Sequence, residues 1–193
     1  MSGCSKMEDM AMYIVEMEKR DGNEKAKKLR KNGFVPCSVK MGDPEETVLY
    51  VITEGIGAKL LREKARGGLV TLKDGENEYP AVIKEISYNG MNKVIEDLTF
   101  QVLDDKKVVS TVAKVVLLNK DKVSTMVRVL IPEIPYKALP KDLVETVQID
   151  LAQLKPGESR NIEELEMAQN PNIEITVDKS NAVLNIVGSG KNA

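Results

Sequence analysis

Acid–base and nucleophilic chemistry needs side chains that this chain lacks. Its 193 residues include no histidine, which removes Ser-His-Asp and Cys-His systems, imidazole proton shuttles and most zinc sites together. A metal would need carboxylates alone, so neither a metal nor any other cofactor is expected. Glu85, Glu96 and Asp97 lie close in sequence, yet paired carboxylates on a sheet are more often solvated than set up as acid and base. Gly55-Ile56-Gly57 lacks the third glycine of a dinucleotide loop. Gly188-Ser189-Gly190-Lys191 lacks the leading glycine of a phosphate loop, and no helix follows it. Cys37 has basic neighbours but no partner base, and reads as a small buried side chain. No catalytic residue, small-molecule substrate or enzymatic activity is expected.

What remains is charge in a pattern. Net charge is −2, but eight bases and only two acids lie between Lys19 and Lys40, leaving that segment at +6 and the remainder at −8. Within it, Glu24–Asn32 reads as a short helix with Asn23 as N-cap and Gly33 just past its end. Lys25, Lys28 and Lys31 are three apart and project together. Such a run is ordinarily a solvated face, and the net charge by itself argues against a nucleic-acid binder, although the distribution of charge matters more than its sum.

The elements that must position this charge are mostly strands. Tyr79–Tyr88 and Val94–Leu103 form a hairpin around Asn89-Gly90, residues that tolerate the positive φ of a tight turn. Period-two alternation puts Val94, Leu98, Phe100 and Val102 on one face, with Ile95, Asp97, Thr99 and Gln101 on the other. The first face is core and the second is open for function. Further strands are expected at Met10–Glu18, Thr47–Thr53 and Leu69–Lys73, with a helix over Ile56–Arg66. Phe34-Val35-Pro36 is an extended exit from the first helix, because a residue before proline avoids the α region.

Asp104–Lys107 is a polar break, giving domains at 10–103 and 108–187 between flexible tails at 1–9 and 188–193. The second domain reads as nearly all β. Strands are expected at Val108–Leu118, Val123–Ile131, Val144–Leu151, Ile173–Val177 and Ala182–Val187. Pro132, Pro135 and Pro140 mark an irregular crossing where a central strand is not expected, and Asn161 with Glu164 resembles a capping box. Aromatics make up 4% of the chain and tryptophan is absent, so the cores rest on Val, Ile and Leu. The fold class is mainly β (α+β). No apolar run of about 18 residues exists for a membrane span. The N-terminal residues do not read as a secretory signal, so Cys4 and Cys37 are expected as reduced thiols in the cytoplasm.

Three blocks resemble a known family. Val82–Phe100 is similar to the hairpin of the bacterial large-subunit ribosomal protein twenty-five and Ctc general stress proteins. Lys25–Pro36 resembles their basic N-terminal helix, and Lys137–Ser159 a signature of the two-domain members. The blocks stand in the family's order. The resemblance implies an N-terminal β-barrel that binds 5S rRNA, followed by a C-terminal β domain. It also implies a cytoplasmic, ribosome-associated place among neighbouring ribosomal proteins. It sets Arg20, Lys25, Lys28, Arg30 and Lys31 against phosphates, with Lys40, Ser87, Asp97 and Thr99 facing RNA. Here the chain departs from the family. Where the second hairpin strand typically reads His-Val-Asp-Phe, this chain has Asp97-Leu98-Thr99-Phe100. A usual glutamine is Ser87, a usual tyrosine is Lys40, and a Gly-Gly of the second domain is Ser124-Thr125. A protein-interaction or stress module on the same scaffold, without specific 5S rRNA binding, is the alternative.

Overall fold

The computed structural model describes residues 13–187, except 21, 23, 43, 44, 91–93, 123 and 124. Both expected tails, Cys4 and the proposed cap Asn23 lie outside the described residues. The fold is mainly β, in two compact units divided between Lys107 and Val108.

The first unit contains β1 (Tyr13–Glu16), β2 (Glu18–Lys19), α1 (Ala26–Lys31), β3 (Phe34–Met41), β4 (Glu46–Thr53), α2 (Glu54–Glu63), β5 (Leu69–Asp74), β6 (Asn77–Tyr88) and β7 (Ile95–Val102). Its strands form one nearly closed, barrel-like sheet in the order β1-β5-β6-β7-β3-β4-β2. β1 runs parallel to β5, β3 parallel to β7, and the other pairs are antiparallel. The two edge strands are consecutive in sequence. Met17 joins them and donates its N–H to Lys73 O at 2.9 Å. One seven-residue segment therefore satisfies both edges of the sheet, which an open sheet leaves exposed.

The barrel interior holds Val15, Leu72, Ile83, Leu98, Phe100 and Leu60 of α2, all essentially solvent-free. Each such side chain contributes about 1.5–3 kcal/mol by leaving water. Cys37 is buried with them, and burial pushes its thiol pKa up, so it stays protonated. α2 starts two residues before its expected position because Thr53 caps it, with Oγ1 accepting from Ile56 N–H at 3.3 Å.

Two expectations fail here for backbone reasons. β3 is a full eight-residue central strand, not merely an extended exit. On the hairpin, Ser87 pairs with Asp97 but Tyr88 pairs with Ile95, so Glu96 is the extra residue of a bulge. The bulge inverts the alternation beyond it. Ile95 is buried at 6% exposure and Val94 is 40% exposed, the reverse of the simple two-residue pattern.

The second unit has a four-stranded sheet of β8 (Val109–Leu118), β10 (Glu133–Ala138), β11 (Thr146–Asp150) and β13 (Glu174–Ile175), in the order β11-β8-β10-β13. A three-stranded sheet holds β9 (Val127–Val129), β12 (Ser159–Asn161) and β14 (Ala182–Ile186), in the order β12-β14-β9. The short helix α3 (Glu166–Gln169) precedes β13. Ile134, Tyr136, Ile149, Val183 and Leu184 share one core. The expected capping box is present, with Asn161 N–H donating to Glu164 Oε1 at 3.2 Å.

Pro135 lies inside the central strand β10, against expectation. A residue's N–H and C=O point to the same side of a strand. Pro135 O accepts from Thr176 N–H at 3.1 Å, so the absent N–H falls just beyond the two residues of β13 and breaks no ladder bond. The strand expected over Val123–Ile131 is only the three residues of β9. The buried Tyr136 hydroxyl donates to Val144 O at 2.9 Å and accepts from Val144 N–H at 2.7 Å.

Tyr50 of β4 donates to Asp74 Oδ2 at 3.1 Å, linking the strands that lie next to the two joined edges. Tyr50→Phe strands that acceptor and should lower stability by about 1–2 kcal/mol in chemical denaturation. An unchanged midpoint would show that the bond adds nothing to closure.

Candidate nucleic-acid interface

Strand alternation and register decide which side chains leave the barrel. Leu98 and Phe100 point inward, so Asp97, Thr99 and Gln101 point outward. In β3, Val35, Cys37 and Val39 are buried and Ser38 and Lys40 emerge. The outward residues line up across strands. Glu85, Thr99, Ser38 and Leu49 form one row, Gln101, Lys40 and Thr47 another, and Ser87 stands opposite Asp97. A second bulge, between Ile83 and Glu85, makes Lys84 the extra residue on this strand.

α1 lies beside this surface because it follows the closing strand directly. It is shorter than expected, and Lys25 in extended conformation occupies its N-cap position. Leu29 is its buried anchor, while Lys25, Lys27, Lys28 and Lys31 are exposed. Arg30 turns back to the hairpin, with Nη1 donating to Glu96 O at 3.1 Å. That carbonyl belongs to the bulge residue, so the bulge helps dock the helix. Arg20 donates its N–H to Leu49 O at 3.0 Å and a guanidinium N–H to Glu24 O. Its Nε is buried and, among the described residues, has no hydrogen-bond partner.

The electrostatics are mixed. Burial and the charge of Glu85 raise the Asp97 pKa, and Arg20 and Arg30 pull it back down. Asp97 therefore stands within the field of both arginines. Lys40 Nζ lies 3.5 Å from Glu45 Oε1, and Lys28 Nζ lies 3.6 Å from Glu24 Oε1. Both pairs are substantially exposed, where an ion pair contributes about 0–1 kcal/mol. Either lysine can be recruited by a polyanion at little cost. Burial first, then the charges of Lys40 and Arg66, hold the Lys84 pKa below its usual value.

The structure thus brings Arg20, Arg30, Ser87, Asp97 and Thr99 together and places Lys40 on the same outer surface. Lys28 and Lys31 lie on the adjoining helix, with Lys25 at its N-cap. Gln101 shares the surface, as the alternation of its strand implies; Ser38 and Lys84 share it too but were not anticipated. The alternation Val35-Cys37-Val39-Met41 carried the signal for Ser38, and Pro36 obscured it. Nothing in the sequence marks the bulge that brings Lys84 to this row.

Two family models match the chain. The ribosomal L25p family covers residues 15–100, and the ribosomal protein TL5 C-terminal domain covers residues 108–189. The chain belongs to the ribosomal L25 family. Relatives named large ribosomal subunit protein bL25 align along most of both chains. The Finegoldia magna protein is 23% identical over 92% of this chain and 85% of its own length. That of Burkholderia mallei is 22% identical over 90% and 88%, and that of Chloroherpeton thalassium 26% identical over 87% and 86%. The L25 match spans the closing strand, α1, β3 and the hairpin, the elements that build the outer surface.

A carboxyl with a raised folded-state pKa binds its proton more tightly folded than unfolded. Its ionised form therefore lowers stability as pH rises through that range. Asp97→Asn should raise the melting temperature at pH 7, and the gain should vanish once pH falls below the ordinary carboxylate range. A variant less stable than wild type at pH 7 would show that Arg20 and Arg30 outweigh burial.

Proposed function

We propose that this chain is a non-catalytic protein of the large ribosomal subunit, cytoplasmic on the ribosome, that binds 5S rRNA through the outer surface of its barrel. The observation that supports this reading best is the pairing of exposed lysines on α1 with outward hydroxyl, amide and carboxylate groups on β3 and β7. Lys25, Lys28 and Lys31 meet phosphates and supply affinity without sequence information. Ser38, Ser87, Thr99 and Gln101 both donate and accept, as contacts to 2′-hydroxyls across a shallow RNA minor groove require. Arg30, bonded to Glu96 O, holds the helix against the hairpin, and Arg20 is bonded to Glu24 O just before the helix. Neighbouring ribosomal proteins are its further partners.

Asp97 favours a second reading. A carboxylate in the middle of the surface repels phosphate and already has two arginines facing it. On this reading the chain keeps the scaffold and serves as a stress or protein-interaction module without specific 5S rRNA binding.

Titrating labelled 5S rRNA at two salt concentrations, with an unrelated structured RNA as control, separates the two. The first reading predicts selective submicromolar binding. It also predicts that Lys28→Glu weakens binding several-fold and lowers the slope of log affinity against log salt by about 1. Equal, weak binding to both RNAs that disappears at higher salt overturns it in favour of the second.

A further inference from the structure

A separate feature lies in the second unit, at the edge strand β11. This strand pairs with β8 on one side only. Lys114 N–H donates to Glu145 O at 2.9 Å, which sets the phase of the parallel ladder. Val147 and Ile149 turn their N–H and C=O groups to β8, and Thr146 and Gln148 turn theirs away. Among the described residues none bonds to those outward groups. β11 also carries neither the proline nor the lysine that commonly blunts an edge. The other edge strands, β9, β12 and β13, are only two or three residues long.

The open edge borders a groove of about 720 Å³ whose far wall comes from the segment around α3. Leu165, Met167 and Ile173 belong to its lining and are themselves nearly buried, so its floor is continuous with the core. Its charged lining comprises Asp150, Glu164 and Glu166 against the single base Arg160. Arg160 is itself held by Glu164, with Nη1 2.5 Å from Oε2, so the groove presents net negative charge.

We propose that β11 is a docking edge for an extended, basic peptide segment of a partner protein, which adds as a fifth strand to the β11-β8-β10-β13 sheet. The backbone of the added strand pairs with Thr146 and Gln148. Its alternate side chains fall toward Leu165, Met167 and Ile173, and the intervening ones stay in solvent. The charge of the groove selects lysine or arginine over acidic residues, so the occupant alternates apolar and basic residues.

The test uses the full chain and a blocked heptapeptide of alternating Val and Lys, followed by backbone amide NMR. Binding should shift the amides of Thr146 and Gln148, and an alternating Val-Glu peptide should bind at least about tenfold more weakly. Methylating the peptide backbone nitrogens of one alternate set should abolish binding, and methylating the other set should leave it intact. Gln148→Pro removes one outward N–H and should weaken binding about tenfold, while Gln148→Ala keeps that N–H and the affinity. The peptide variants leave the protein unaltered, so a folding defect in Gln148→Pro cannot mimic the result. The proposal is overturned by no shift at 146–150 up to millimolar peptide, by equal binding of the acidic peptide, or by insensitivity to both methylation patterns.

Discussion

The first unit depends on one segment that closes its own sheet. Tyr13–Lys19 pairs with β5 through its first half and with β4 through its second. Without that bridge, β4 and β5 would each expose a row of unpaired backbone groups, and the interior around Val15, Leu72 and Phe100 would open to water. Closure also decides where charge goes. The chain leaves the barrel at Arg20 and enters α1 within a few residues, so the basic helix can lie only beside the closing seam. Arg30 then reaches the hairpin bulge at Glu96.

Placement and attraction fall to different residues on that surface. Arg20 and Arg30 are committed to backbone carbonyls and to the field around Asp97, so they shape the surface. The lysines are exposed, and their ion pairs with Glu24 and Glu45 are too weak to withhold them from a polyanion. A protein built this way keeps a defined docking geometry while its affinity remains strongly dependent on salt. On the proposed RNA-binding role, Asp97 works against that affinity.

Much of this was legible in residue patterns. The hairpin, the basic helix and the inward pair Leu98 and Phe100 follow from periodicity and turn chemistry. The departures share a cause, which is that alternation holds only while pairing is regular. The bulge at Glu96 sent Ile95 inward and Val94 outward, and no residue type announces a bulge. Proline obscured two strands, β3 at Pro36 and β10 at Pro135. At Pro135 the missing N–H lies where no ladder bond is needed, a fact of register rather than composition.

The central claim is that α1 and the outward surface of β3 and the hairpin form one RNA-binding surface. Lysine acetylation read by mass spectrometry, with and without 5S rRNA, tests it most directly. The account predicts several-fold protection of Lys25, Lys28, Lys31 and Lys40, with Lys59 of α2 and the lysines of the second unit unchanged. Unaltered reactivity at those four residues in the presence of saturating RNA, or protection confined to the second unit, would contradict it.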